Sequence, residues 1–362
     1  MDARKKIELL LTPGVKPAEW DLLESVARAA ERGEEMNVDD AIGRLQLTRV
    51  SKTAVEKQFS TMTRAGARVL IRWDDEFPAG LRQIPSAPPG LFVRGRLPAH
   101  ETPAVAIVGT RKPSIPGTRF ARQLSRTFAL LGITVVSGMA RGIDTAAHEG
   151  ALGAGGLTVA VVGTGVDVVY PPENDDLMRR IAAEGSVVSE QMCGMIAMPG
   201  VFPRRNRIIS GMSDAVVVVE GGARSGALIT ARWALDQGRD VGAVPGFPGS
   251  FRSEGPNQLL KQGAFVVTDA TDVITHVKRI AERVSAAVRA QSDDPAALVG
   301  LDGDRARVYD LLSAPASVDD VAAGAEITIE RAQSILTVLE IEGRIRRDAG
   351  GCYSWFTTEK RA

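Results

Sequence analysis

The chain has 362 residues, of which 44% are hydrophobic and 24% charged, with Lys+Arg and Asp+Glu equal at 44 each. At about 150 residues per domain, this length predicts two or three domains around a sizeable core. The balanced charge excludes a uniformly basic nucleic-acid coat but permits a local basic patch. Apolar runs such as Thr158–Val162 and Ala215–Val219 are far shorter than the about 18 residues a bilayer span needs. No apolar stretch with a small-residue cleavage site follows the basic residues of the first hexapeptide, so a cytoplasmic protein without membrane contact is expected.

Residues 1–65 read as helices, with Trp20, Leu22, Leu23, Val26 and Ala30, and then Val50, Val55, Phe59 and Met62, at helical spacing. The turn Thr12-Pro13-Gly14-Val15 between helical stretches suits a small SAM-like or helix-hairpin-helix module, which serves protein docking or DNA-backbone contact equally well. From Arg64 the texture changes to strands at Val69–Ile71 and Leu91–Val93. Further strands are expected at Val105–Val108, Ile133–Val136, Thr158–Val162, Val187–Ser189, Ala215–Val219, Val241–Val244 and Phe265–Val267. Helices are expected between them, among them Gly117–Leu131, Thr145–Leu152, Asp175–Ala183, Ala227–Gln237 and Gln258–Lys261. Short Val-rich and Ile-rich strands alternating with helices predict an α/β fold, a parallel Rossmann-like sheet covered on both faces, over 66–275. A charged helix and the linker Gln291-Ser292-Asp293-Asp294-Pro295 fill 276–300. Residues 301–362 then carry three helices, one opened by Ser317 with Asp320 three residues on, and a hairpin around Gly350-Gly351, which together make a winged helix.

Two cysteines, Cys193 and Cys352, form no C-x-x-C, and His100, His148 and His276 have no ligand-like spacing. No disulfide framework, metal or cofactor is therefore expected. His148 follows a glycine-rich turn and is either functional or a helix residue hydrogen-bonded near the sheet. In an open parallel sheet, ligands collect at the carboxyl ends of strands, where backbone amides and helix N-termini converge. Glycine and hydroxyl residues crowd those ends here, in Gly109-Thr110-Arg111, Ser137-Gly138-Met139-Ala140-Arg141, Gly163-Thr164-Gly165, Glu220-Gly221-Gly222-Ala223-Arg224-Ser225-Gly226 and Pro245-Gly246. Several such turns on one edge point to a phosphate-rich ligand.

Neither nucleotide hydrolysis nor NAD chemistry finds its signature. The chain has no Gly-Lys dipeptide for a Walker A loop, and Gly163-Thr164-Gly165 lacks the third glycine of a dinucleotide fingerprint. Basic residues cluster instead. Arg111, Lys112, Arg119, Arg122 and Arg126 face a single acid, Glu101, in the first cluster, and the acid-free string Phe202-Pro203-Arg204-Arg205-Asn206-Arg207-Ile208-Ile209 forms the second. Its polar residues are expected at the mouth of the sheet with the isoleucines beneath, and Arg111, Arg205 and Arg207 are expected to face one groove. Arginines and backbone amides hold successive phosphates, and Phe202 or an arginine plane stacks on unpaired bases.

These strings resemble the DNA processing protein A (DprA/Smf) family. The resemblance rests on ordered motifs: Ala106–Arg111, Ser137–His148, Tyr170–Asn174, Ser189-Glu190, Phe202–Gly211, Val219–Gly221, Ser225–Ala231 and Ala243–Gly246. It implies an extended Rossmann fold that binds single-stranded DNA, forms a homodimer through that domain, and helps to load a RecA-type recombinase in natural transformation, without enzymatic turnover. Carried over by motif, Gly109, Thr110, Arg111, Ser137, Gly138, Arg205, Asn206 and Arg207 line the DNA site, and Ser225 and Gly226 at a helix N-terminus help to hold a phosphate. Arg141, Phe202 and Arg204 complete the candidate set from the same strings.

The chain departs from the family pattern at Gly222 and Arg224, which adds positive charge to that loop, and at Arg252 and Glu254 within Phe247–Pro256, a segment implicated in the family's dimerisation. Residues 301–362 carry eight Lys/Arg against eleven Asp/Glu, and Glu330, Glu340 and Glu342 sit on the expected recognition helix, where phosphate would be repelled. That module reads as a protein-contact or regulatory unit, with duplex binding by Arg344, Arg346 and Arg347 as the lesser alternative. Two other functions compete: a Rossmann-like nucleotide phosphoribohydrolase, and a transcription regulator with a DNA-reading winged helix. The loop at Gly221–Ala227 lacks the Gly-Thr and following carboxylate of the first, and the acidic third helix opposes the second.

Overall fold

The computed structural model describes residues 1–31, 38–284, 298–341, 344–348 and 350–355. The expected linker at Gln291–Pro295, the hairpin positions Gly343 and Ala349, and the charged residues Glu342, Lys360 and Arg361 lie outside these, as do the side chains of Ala30 and Glu330. Four helices come first, α1 (Ala3–Leu11), α2 (Pro17–Glu31), α3 (Val38–Arg44) and α4 (Lys52–Arg64). The hairpin strands β1 (Ala67–Ile71) and β2 (Gly90–Gly95) flank the short α5 (Ala79–Arg82). Ile7, Val55 and Met62 of the helices share one core with Val69, Phe92 and Val187 of the sheet, so the helical layer is packed onto the sheet's edge. Ion pairs Lys6–Asp74 at 2.6 Å and Arg72–Glu24 at 3.1 Å fasten the same seam.

The nine-stranded sheet runs in the order β1-β2-β6-β5-β4-β3-β7-β8-β9. The remaining strands are β3 (Ala104–Val108), β4 (Thr134–Ser137), β5 (Thr158–Val161), β6 (Ser186–Ser189), β7 (Ala215–Val218), β8 (Asp240–Ala243) and β9 (Phe265–Val266). From β6 to β9 all neighbours are parallel, while β1 and β2 extend the sheet antiparallel. Strand residues alternate between two cores, as a pleat requires. Val105 and Ile107 pack under α6 (Ile115–Leu130) and α7 (Ile143–Gly153), whereas Ala106 and Val108 pack under α9 (Val201–Gly211) and α10 (Gly226–Asp236). Each fully buried Val, Ile or Phe side chain contributes about 1.5–3 kcal/mol. The other crossover elements are α8 (Asp175–Glu184), α11 (Glu254–Lys261) and α12 (Ala270–His276), followed by helical residues 278–284 as α13.

From β3 the chain steps outward to β4, β5 and β6, then returns through α9 to β7 on the other side of β3. The crevice at the carboxyl ends of β3 and β7 is therefore the topological switch point, where this architecture places its ligands.

The carboxyl-terminal unit has helices α14 (Leu298–Leu311), α15 (Val318–Gly324) and α16 (Ile329–Ile341) and the hairpin β10 (Ile345–Arg347) and β11 (Tyr353–Trp355). Ser317 and Asp320 form the capping box that opens α15. Val308, Val321, Leu336 and Tyr353 centre a core of its own. Its third helix faces the sheet domain rather than solvent. Gln123 of α6 donates to Gln333 of α16 at 2.8 Å, and Arg347 pairs with Asp269 at 2.6 Å. Burial, helped by the neighbouring Asp269 charge, raises the pKa of Glu340.

Candidate nucleic-acid interface

At the switch point the structure opens into a groove of about 460 Å³. Gly109, Thr110 and Arg111 after β3, Phe202, Arg205 and Asn206 of α9, and Ser225 and Gly226 at the start of α10 all line it. A small pit beside it is shared by Arg111, Gly138, Arg141, Tyr170, Phe202 and Arg205. The exposed Arg111 guanidinium stands 5.8 Å from the Phe202 ring centroid, and the Tyr170 and Phe202 rings are 5.4 Å apart. One cation and two aromatic rings thus meet at the mouth. Ser225 caps α10 by accepting from the Ala227 N–H at 3.3 Å, which brings the positive end of that helix to the groove wall.

The loop after β4 is wound around a buried carboxylate. Asp144 Oδ2 accepts from the N–H groups of Gly138 at 3.1 Å and Ala140 at 3.3 Å. Met139 between them adopts φ 62°, and its carbonyl accepts from Asn174 Nδ2 at 3.0 Å. Residue 138 must be glycine: a Cβ there would overlap the Arg205 guanidinium and stand 2.7 Å from Asp144 Oδ2. Arg205 itself is buried, 7% exposed, and donates through Nη1 to the Val161 carbonyl. Burial pushes the Asp144 carboxyl up to about 6 although Arg205 and the two backbone donors favour its charge. Burial likewise brings Arg205 down to about 10, so it remains a cation at neutral pH. Its Nε–H is buried without a hydrogen-bond partner.

The structure corrects the expected arginine groove. Arg207 turns into the protein, 3% exposed, with Nη2 2.7 Å from Glu190 Oε1. Successive helix positions rotate by about 100°, so Arg205 and Arg207 diverge by about 200° on α9 and cannot share one face. Arg204 is solvent-exposed, 3.8 Å from the same carboxylate and outside the groove lining. Ser137 is also internal: buried at the end of β4, its hydroxyl donates to the Ile107 carbonyl at 2.7 Å and ties β4 to β3. Arg141 does reach the pit, but its exposed charge is shared with Glu173 through a contact at 3.0 Å. Ile208 and Ile209 lie beneath the surface as expected, each 1% exposed.

Two further residues have structural roles. Glu220 accepts from Ser114 N at 2.9 Å and Ser114 Oγ at 2.5 Å, which holds the start of α6. His148 is buried with Nδ1 2.7 Å from Thr158 Oγ1, and burial pushes it down to about 3, so it is neutral at physiological pH. Asp144, Asn174, Tyr170 and Glu190 carry no assigned role in the sequence motifs. The available signals were an acid in the first turn after a glycine bend, a residue pair around Pro171-Pro172, and an acid directly after a strand. Among the described residues no group of three or more His, Cys, Asp and Glu side chains is arranged to hold a metal ion, and no helix is long and apolar enough to cross a membrane.

Comparison with known proteins gives these residues a setting. The family model of DNA recombination-mediator protein A matches residues 68–278, and that of the DprA winged helix domain matches 292–351. The chain is 43% identical to Protein Smf of Synechocystis sp. over 211 residues, 57% of this chain and 53% of that protein. It thus spans about half the length of that relative. The structure is similar to that of DNA processing protein A from Streptococcus pneumoniae, with a TM-score of 0.64 and 33% identity over 75% of this chain and 98% of the other. The similarity to the Helicobacter pylori protein of the same name, whose structure addresses its single-stranded DNA binding mode, has a TM-score of 0.53 at 28% identity, covering 58% of this chain and 94% of that one. A family model that matches more than half of the chain, together with these folds, settles its kinship: the chain belongs to the DNA recombination-mediator protein A (DprA/Smf) family and carries that family's winged helix domain.

Proposed function

We propose that this protein binds single-stranded DNA in the groove at the carboxyl ends of β3 and β7, protects incoming strands in natural transformation, and helps to load a RecA-type recombinase without catalytic turnover. It acts as a homodimer through the sheet domain, in the cytoplasm, with no cofactor. The observation that carries this reading is the floor of the groove. Arg205, a buried cation, lines it together with Ser225 and Gly226 at the amino end of α10, a setting that suits a phosphate oxygen. At the mouth, the rings of Phe202 and Tyr170 and the Arg111 plane suit unstacked bases, which a duplex does not present. The H. pylori relative binds single strands, which supports the same choice. The capping role of Glu220 weighs against a phosphoribohydrolase, since that carboxylate already holds Ser114.

The test is a titration of a six-nucleotide oligothymidylate and a hairpin-closed duplex across a salt series. Arg111, Arg205 and the α10 terminus together neutralise about three phosphates, so log K for the single strand should fall against log salt with a slope of about −2. Equal affinity for duplex, or affinity independent of salt, overturns the reading.

A further inference from the structure

We propose that Glu173 is an internal competitor of the DNA: it clasps Arg141 at the rim of the pit, and a phosphate of the bound strand takes its place. The inference rests on the single-strand reading of the groove and adds to it a residue that limits the affinity of the same site.

Three arginines, Arg111, Arg141 and Arg205, line the pit, and no carboxylate does. Glu173 cancels one of these charges from outside. Its carboxylate takes Arg141 through both Nε and Nη2, the second contact at 3.0 Å. A phosphate takes a guanidinium edge in the same two-pronged way, so the two anions contend for one pair of donors. The Arg141 and Glu173 side chains are 53% and 49% exposed. A pair so open to water is held weakly, and its carboxylate can be exchanged. The hydrogen bond from Arg141 holds the Glu173 carboxyl below the usual carboxylate range, and the same bond raises the Arg141 pKa. Both groups are therefore charged at neutral pH, and the pair as a whole is neutral.

The fold places this clasp. Glu173 lies in the turn Pro172–Asn174, directly before Asn174. Asn174 is buried and donates through Nδ2 to the Met139 carbonyl at 3.0 Å and to Thr145 Oγ1 at 3.1 Å. Thr145 donates in turn to the Ala140 carbonyl at 2.8 Å, which locks the turn against the loop that carries Arg141. Tyr170, just before the same turn, packs its ring 5.4 Å from Phe202, so a strand stacked at the mouth runs beside the pair. A phosphate on a strand already anchored at Arg205 and the start of α10 meets Arg141 at high effective concentration and displaces the carboxylate. The displaced carboxylate stays close by and favours release, which suits a site that passes its strand on.

The experiment titrates a six-nucleotide oligothymidylate against the full chain as wild type, E173Q, R141A and R141A/E173Q, by fluorescence anisotropy at about 0.15 M salt and then across a salt series. An exposed ion pair is worth a factor of about 1.4–5 in an equilibrium, so E173Q should bind about two- to fivefold more tightly than wild type, mostly through slower dissociation. Its salt slope should be steeper by about 0.7, the share of one further phosphate. R141A should bind more weakly than wild type. In the R141A background only the screened field of Glu173 remains, so adding E173Q should gain less than about twofold. Melting temperatures should stay within about 2 °C of wild type, since both positions are exposed. Unchanged or weaker binding by E173Q overturns the inference, the weaker result making Glu173 a support that holds Arg141 in place. Equal gains from E173Q with and without Arg141, or an R141A affinity equal to wild type, overturn it as well. A wild type that does not bind the oligonucleotide refutes the reading of the groove instead.

Discussion

Replacing Arg207 with alanine should destabilise the protein and spare its DNA site. The Arg207 and Glu190 side chains are 4% and 13% exposed and 2.7 Å apart, so the substitution leaves a nearly buried carboxylate without its countercharge. Removing one partner of a buried pair costs about 3–5 kcal/mol. Arg207 Nη1 already lacks a partner, which places the loss near the lower end, about 3 kcal/mol. For a domain of this size each kcal/mol moves the melting temperature by about 2–4 °C, so R207A should melt about 6–12 °C below wild type in a circular-dichroism scan. The double variant R207M/E190Q removes both charges and should recover part of that loss, giving a non-additive cycle. At 15 °C, where R207A remains folded, its affinity for a six-nucleotide single strand should stay within about twofold of wild type. An unchanged melting temperature with lost DNA binding would refute this account of α9 and return Arg207 to the groove.

Arg111→Ala makes the opposite prediction. It should cost about 1.5–3 kcal/mol of single-strand affinity in a fluorescence-anisotropy titration while stability changes by less than about 0.5 kcal/mol, because the side chain is exposed. Gly138→Ala should destabilise by about 1–3 kcal/mol in a denaturant melt and weaken DNA binding with it, since the new methyl displaces both Arg205 and Asp144. The Asp144 carboxyl, raised to about 6 from an ordinary value near 4, holds a proton in the folded state that the unfolded chain has lost, so its contribution to stability is present below about pH 4 and is lost as pH rises through about 6. An incoming phosphate disfavours the carboxylate further, so single-strand affinity should rise as pH falls from 7.5 to 5.5, by at most about tenfold per pH unit for one proton, and Asp144→Asn should flatten that profile. His148, held neutral down to about pH 3, adds nothing in this window.

The architecture was legible in the chain because each parallel strand is a short Val-rich run between amphipathic helices, and the turns at Gly109, Gly138 and Gly221 mark one edge of the sheet. The capping pair Ser317 and Asp320 was legible for a local reason, since both groups lie within one turn of helix. The arginine string was harder to read. A charge run suggests one polar face, but α9 lies on the sheet, and its rotation exposes Arg204 while burying Arg205 and Arg207. The compensating groups are the Val161 carbonyl and Glu190, which lie 44 and 17 residues away and come together only when β5, β6 and α9 pack. Ser137 misled for a related reason. It ends a strand buried along its whole length, so its hydroxyl finds the neighbouring strand's carbonyl rather than the groove. Which face the winged helix presents was likewise invisible, because Gln123–Gln333 and Asp269–Arg347 span 210 and 78 residues.

The central claim, that single-stranded DNA occupies the switch-point groove, is tested most directly by photo-crosslinking a 4-thiothymidine oligonucleotide to the full chain and locating the adducts by mass spectrometry. Adducts are expected at Phe202 and Tyr170, lost when unlabelled single strand competes and retained when duplex competes. Adducts confined to residues 298–355, with Phe202 and Tyr170 unmodified, would contradict it.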